Sequence, residues 1–395
     1  MSPTSHSLLR DWREEKAPVS DAELLFDLIY VFSVTQLSHY LLHHLNWAGL
    51  GQAVILWFAV WLAWQHTAWV TNWFDPRLRP IRILLFVLMI LGLLMAAAIP
   101  EAYAGRGLIF AASYVTMQVG RTLVIVILLD KQHLLAANFR RMLGWFCISA
   151  IFWFTGAFRE GTGRWMCWLA AVVLDYTSPM FGFWLPGLGR SVSRKEWTVE
   201  GEHLAERSRL FVIIAFGETI LMTGSSFSEL ETWNAPVIGT TLLSFVSSLA
   251  MWWVYFDIGS EAGSLKIKKT ADPGLLGLKY HSIHVVLVGS LIGCAVGDEL
   301  AIQHPFAHPS VPVLLTMVGA PMVYLASNVV YKWLISKKIA WSHLGAIFLL
   351  GIAALFSSGL TLLGLNGWVT LIFVGVVIVE TIRFRHPDME TIVEE

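Results

Sequence analysis

Residues 81–99 read IRILLFVLMILGLLMAAAI, with Arg82 the only charge in the run. A helix crosses the roughly 30 Å hydrocarbon core of a bilayer with about 20 residues, so this stretch is long enough to span one. The composition around it shows that it is not an isolated case. Of 395 residues, 14% are charged and 56% apolar, with 19 Trp and 23 Phe, whereas a soluble chain is about 25% charged. An aqueous surface for a chain of this length needs more polar side chains than the sequence holds. The expected fold class is therefore an all-α polytopic membrane protein.

Scanning outward for similar runs predicts about twelve spans: 24–44, 50–73, 81–99, 108–129, 142–158, 165–185, 204–225, 237–257, 280–300, 311–335, 343–363 and 368–384. The basic residues supply an independent check, because cytoplasmic loops hold the Lys and Arg. All but four of the 27 lie before the first span, at or after the end of the last, or in every second loop and the span ends that border it. Arg106, Arg159 and Arg164 fall in the alternate loops, and Arg121 falls inside a span. The alternation places both termini in the cytoplasm. The charged residues Arg10, Asp11, Arg13, Glu14, Glu15 and Lys16 follow no apolar run, so no cleavable signal peptide is expected and the first span directs insertion.

Six spans followed by six place two halves in the same orientation, as in parallel-repeat transporters. Ala22-Glu23 and Ala205-Glu206 open the first and seventh spans, and Phe74-Asp75 and Phe256-Asp257 close the second and eighth, at nearly one offset. The expected organisation is a cytoplasmic segment 1–22, a first half 23–190, a cytoplasmic linker 191–203, a second half 204–385 and a cytoplasmic tail 386–395. The net charge of −1 gives no field to attract nucleic acid.

A charge inside a span costs at least ~2.5 kcal/mol to insert, so the polar residues there point to function or to interhelical pairing. Arg121 lies ~22 Å from the outer end of its helix and calls for an anionic partner, with Asp27, Asp175 and Glu218 as candidates. The first span, Glu23-Leu-Leu-Phe-Asp27-Leu-Ile-Tyr-Val-Phe-Ser-Val-Thr-Gln36-Leu-Ser-His39, is too polar to face lipid. Glu23 and Asp27 share a face, and Gln36 and His39 pair one turn apart further out. In the seventh span Arg207 and Glu218 are eleven residues apart and fall within about 20° of the same face, while Glu206 can pair with Arg209. Glu218 sits close to mid-membrane, which makes it the first choice for handling a proton or cation. The same residues equally suit a scaffold of hydrogen bonds and ion pairs.

Histidine pairs at ligand spacing, His39 with His43, His281 with His284 and His304 with His308, carry neither the Glu of a zincin helix nor a thiolate partner. No metal and no cofactor is expected. Three widely spaced cysteines, Cys147, Cys167 and Cys294, form no disulfide framework. No span carries an interior Lys for a Schiff base, and no phosphate-binding Gly-rich loop is present.

The first span, together with Glu206-Arg207, Gly217-Glu218, Tyr280-His281 and His284, resembles the bacterial low temperature requirement A family over nearly the whole chain. That resemblance implies a multi-pass protein of the bacterial inner membrane linked by name to growth in the cold, and it carries over no catalytic residues. In outline, Phe26-Asp27 and Arg209-Leu-Phe-Val-Ile-Ile-Ala-Phe-Gly-Glu-Thr219 are also similar to the potassium-channel family with a Phe-Ser-Asp signature, although the serine is absent here.

These observations predict a solute or ion transporter, with proton coupling as one option, whose transport path or pore is lined by Asp27, Gln36, His39, Arg121, Asp175, Glu206, Arg207, Glu218 and His284. The alternatives are a cation channel, a membrane enzyme using Asp27, His66, Arg121, Asp175 and His284 in an inner vestibule, or a scaffold with no flux. Expected partners are the lipid bilayer and a small ion or solute, with no nucleic acid; a homo-oligomer is compatible with the sequence.

Overall fold

The structure is a computed structural model that describes residues 8–10, 19–197, 199–256, 270 and 272–383. Twelve helical segments of 15 residues or more run through them. They are α1 (Asp21–His43), α2 (Trp47–Trp73), α3 (Arg79–Ala98), α4 (Gly107–Leu128), α5 (Leu134–Ala157), α6 (Gly161–Thr177), α7 (Gly201–Ser228), α8 (Ala235–Phe256), α9 (Pro273–Gln303), α10 (Val311–Ser336), α11 (Trp341–Leu355) and α12 (Leu362–Arg383). The described residues contain no strand, only isolated bridges pairing Leu9 with Phe74 and Leu185 with Gly189. Arg13, Lys16, Asp257, Lys266, Lys268, Lys269, Arg385 and the tail 386–395, all used in the sequence reading, lie outside the described residues.

Among the described residues nine helices are long and apolar enough to cross a membrane: α1, α2, α3, α4, α7, α8, α9, α10 and α12. Helix α3 shows why. Ile81, Leu84, Leu85, Leu88, Met89, Gly92 and Met95 form a buried stripe, while Ile83, Phe86, Val87, Ile90, Leu93 and Leu94 are exposed on the other side. A helix apolar on all faces is stable with one side in hydrocarbon. Of the others, α5 carries Arg140 and Arg141 in its first turns, α6 has 17 residues, and α11 has 15.

Two local devices set the helix ends and paths. Ser20 and Glu23 form a reciprocal cap at the start of α1: the Ser20 N–H donates to the Glu23 carboxylate at 2.9 Å, and the Glu23 N–H donates to Ser20 Oγ at 3.4 Å. Helices α4 and α10 each contain a π-helical turn, Thr116–Gly120 and Leu315–Gly319. Such turns open the regular hydrogen-bond ladder and concentrate at functional sites.

The chain forms two compact units. The first comprises Met1–Tyr40, Gly51–Arg207 and Ile267–Lys279; the second comprises Leu41–Leu50, Ser208–Lys266 and Tyr280–Glu395. In the first, α5 packs on α4 and α6 around an aromatic stack in which Tyr114, Trp153, Trp168 and Phe110 follow one another at centroid distances of 4.6, 5.4 and 5.5 Å. Gly156 lets α5 and α6 approach: a Cβ there would lie 2.5 Å from Trp168 Cδ1. The segment after α6 is also packed, with Trp197 buried and donating from Nε1 to Ser191 Oγ at 2.7 Å, and Glu196 paired with Arg141 at 2.7 Å. In the second unit, α8 packs on α12 and α11 lies against α10 and α12.

Candidate functional site

The first unit gathers one group of buried charges where α1, α2 and α7 meet. Glu23 and Asp27, one turn apart on α1, are both buried, as is Arg207 on α7. The Arg207 guanidinium grips Asp27 with two bonds, Nη2 to Oδ1 at 2.5 Å and Nε to Oδ2 at 3.1 Å, and donates from Nη1 to Glu23 Oε1 and Thr71 Oγ1 at 3.0 and 3.1 Å. This is the fork geometry that favours Arg over Lys. Trp64 Nε1 donates to Asp27 Oδ1 at 2.7 Å, and its ring lies 5.8 Å from the guanidinium carbon. Arg10 completes the group, donating from Nη2 to Glu23 Oε2 at 3.0 Å.

His203, near the start of α7, closes one edge of this network. The Glu200 N–H donates to Asn72 Oδ1 at 2.9 Å, which leaves the Asn72 amide nitrogen to donate to Glu200 O at 2.9 Å and to His203 Nδ1 at 3.2 Å. Nδ1 is therefore an acceptor, and the proton sits on Nε2, aimed at Glu23 Oε1 3.1 Å away. Two carboxylates face two guanidiniums, so the charges balance. A balanced, hydrogen-bonded cluster of this kind locks helices into register.

Arg121 departs from the expectation that it has an anionic partner. It donates to Ala63 O at 3.3 Å, Thr67 Oγ1 at 3.0 Å and Gln118 Oε1, and no carboxylate among the described residues lies within ion-pair distance. Asp27 is already held by Arg207, and the π-helical turn of α4 supplies Gln118 in its place. Gln118 Oε1 also lies 3.3 Å from His66 Nδ1, and its Nε2 donates to the Tyr114 hydroxyl at 3.1 Å. Asp175 on α6 is buried in a separate place, accepting from Tyr114 Oη at 2.8 Å and Trp153 Nε1 at 3.3 Å. No cationic side chain among the described residues pairs with it.

Gln36 and His39 do not join these groups. Gln36 is nine residues beyond Asp27, half a turn round the helix at 100° per residue, and it is partly exposed while His39 is exposed. Glu206 is half-buried, and Glu218 is buried in the part of α7 that belongs to the second unit. His284 is buried in a tyrosine cluster of the second unit, 2.8 Å from both Tyr255 Oη and Tyr280 O and stacked on the Tyr280 ring.

The second unit holds two further polar groups that the sequence reading passed over. Asp298 on α9 accepts from Asn366 Nδ2 of α12 at 3.3 Å, and the same amide donates to Ser244 Oγ at 2.9 Å. Glu380 pairs with Lys332 at 2.8 Å and with His343 Nδ1 at 3.1 Å, and accepts from Ser342 Oγ at 2.9 Å. Asp298 had a visible signal, an ionisable residue inside the apolar run 280–300. Between helices, Asp75 is partly buried, which pushes its carboxyl up, yet the hydrogen bonds and charge of Arg77 hold it below the ordinary carboxylate range.

Residues 18–378 match the family described as Bacterial low temperature requirement A protein (LtrA). The chain belongs to that family. It is also 38% identical over 345 residues to an uncharacterized protein of Rhizobium meliloti (strain 1021), covering 87% of this chain and 84% of the relative. No solved structure matches. The family match spans Glu23, Asp27, His203 and Arg207, and also Asp175, Asp298 and Asn366.

Proposed function

We propose that this member of the low temperature requirement A family is a multi-pass carrier of a small ion or solute in the bacterial inner membrane, with transport coupled to protons or another cation. The observation that carries the reading is a pair of buried carboxylates, Asp175 in the first unit and Asp298 in the second, each without a cationic partner among the described residues. Acids kept in a low-dielectric bundle without a counter-charge mark ion and proton paths. The Glu23–Asp27–Arg207 group, with every charge matched, serves as the scaffold of the first unit.

The reading includes twelve spans with both termini cytoplasmic, halves at 23–190 and 204–385, and a linker at 191–203. Its support is the twelve helical segments, the alternation of basic loops, and the position of the π-helical turns. These fall in α4 and α10, the fourth helix of each half, and read Thr-Met-Gln-Val-Gly and Leu-Thr-Met-Val-Gly. Parallel halves of this kind suit alternating access.

Proteoliposomes loaded with a pH-sensitive dye test the proposal. Alkali-cation or proton gradients should drive dye signals above protein-free vesicles, and Asp175→Asn should reduce them while the protein stays folded. Vesicles no more permeable than protein-free controls to every ion and solute tried would overturn the reading, and unitary currents would replace the carrier with a channel.

A further inference from the structure

In the second unit, α8, α9, α10 and α12 surround a cavity of about 20 Å3, room for one water-sized sphere or a small bare ion. Asp298, Asn366, Ser247 and Thr316 line it. Asp298 is 8% exposed; its Oδ1 accepts from Asn366, while its Oδ2 is buried with no hydrogen-bond partner among the described residues. Ser247 is 4% exposed and likewise makes no hydrogen bond with a described residue. An unmatched buried carboxylate oxygen is expensive, and here it borders a space lined by further oxygen donors.

The helix packing explains how the cavity forms. Gly293 and Gly297 lie one turn apart on α9, and a Cβ at Gly297 would fall 3.2 Å from the Met317 backbone. Small residues at this spacing let helices approach closely. Gly297 thus brings Asp298 against the π-helical turn Leu315–Gly319, whose Thr316 and Met317 form one wall.

We infer that this cavity binds a monovalent alkali cation, held by the Asp298 carboxylate with the hydroxyl oxygens of Ser247 and Thr316, while the Asn366 amide N–H orients the carboxylate through Oδ1. Oxygen donors select hard cations. One carboxylate neutralises one charge, so a monovalent ion leaves the site neutral, whereas a divalent ion would leave a net charge in low dielectric. Magnesium also keeps several waters, for which the cavity has no room. Cys294 reaches the wall too, but a soft ion bound through sulfur would leave Asp298 unused, which the variants below distinguish. The inference deepens the transport reading by naming a coupling ion, and rests on that reading for the ion's role alone.

Binding is measured on the full chain in detergent, without flux, by thermal unfolding in sodium, potassium or lithium chloride against choline chloride at constant ionic strength. At least one alkali cation should raise the unfolding temperature in a saturable manner. Asp298→Asn should abolish the shift, and Ser247→Ala should weaken the apparent affinity by about tenfold or more without changing stability in choline. No saturable shift with any alkali cation, or the same shift retained in Asp298→Asn, overturns the inference. Should Asp298→Asn fail to fold, equilibrium binding of radioactive sodium or rubidium to the wild type decides, with about one ion per chain expected and none overturning it. A chain that binds but moves nothing refutes the transport reading alone, and one that transports without binding at Asp298 refutes this site alone.

Discussion

Replacing Arg207 with Met removes the counter-charge of two buried acids while keeping an unbranched, apolar side chain in the space. The two acids are left in different states. Glu23 keeps Arg10 at 3.0 Å, His203 at 3.1 Å and the Ser20 cap, whereas Asp27 keeps only the Trp64 indole N–H as a donor among the described residues. The cost therefore falls mainly on Asp27, and stranding one member of a buried pair costs about 3–5 kcal/mol. Asp27→Asn combined with Arg207→Met removes both charges, so the double variant should recover about 2–3 kcal/mol relative to the sum of the single losses. Unfolding of the purified protein by titrated SDS, followed by tryptophan fluorescence, reads all three variants. A loss below about 1 kcal/mol for Arg207→Met, the range of an exposed pair, or strict additivity in the double variant, would refute the view that this group clamps α1 to α7.

Other substitutions separate the remaining polar groups. Arg121→Met strands no carboxylate, only neutral acceptors on Thr67, Gln118 and Ala63, so it should cost about 1–3 kcal/mol, less than Arg207→Met in the same titration. Glu380→Gln removes the acceptor charge of Lys332 and His343 and should lower stability by about 3 kcal/mol, with Lys332→Met/Glu380→Gln recovering part of the loss. Gly156→Ala drives a Cβ into the fully buried Trp168 ring and should destabilise by about 1–3 kcal/mol, visible as a lower unfolding temperature and altered near-ultraviolet circular dichroism.

The helices were legible because long apolar runs and the alternation of basic loops are properties of contiguous sequence. The shared face of Glu23 and Asp27 on α1 was legible too, by arithmetic, but Gln36 and His39 were grouped with them although Gln36 falls on the opposite side. What could not be read was pairing. Asp27 has Arg207 as its partner across 180 residues of chain, and nothing in one sequence distinguishes that choice from Arg121. Arg121 in turn is held by a backbone carbonyl, a hydroxyl and an amide, groups that leave no charge pattern. The π-helical turns were equally silent, since they rearrange a hydrogen-bond ladder without a residue type to announce it. Asp298 could have been found from its place in an apolar run, but its cavity needed Ser247, Thr316 and Asn366 from three other helices.

The division between scaffold charges and ion-handling acids is tested most directly with Asp175→Asn. Asparagine retains an oxygen to accept from Tyr114 and Trp153 but cannot exchange a proton or balance a cation. Transport in proteoliposomes and SDS unfolding are measured on the same preparation. Near-native stability with transport lost is the expected result; transport retained at the wild-type rate, or lost only in proportion to the unfolded fraction, would contradict the account.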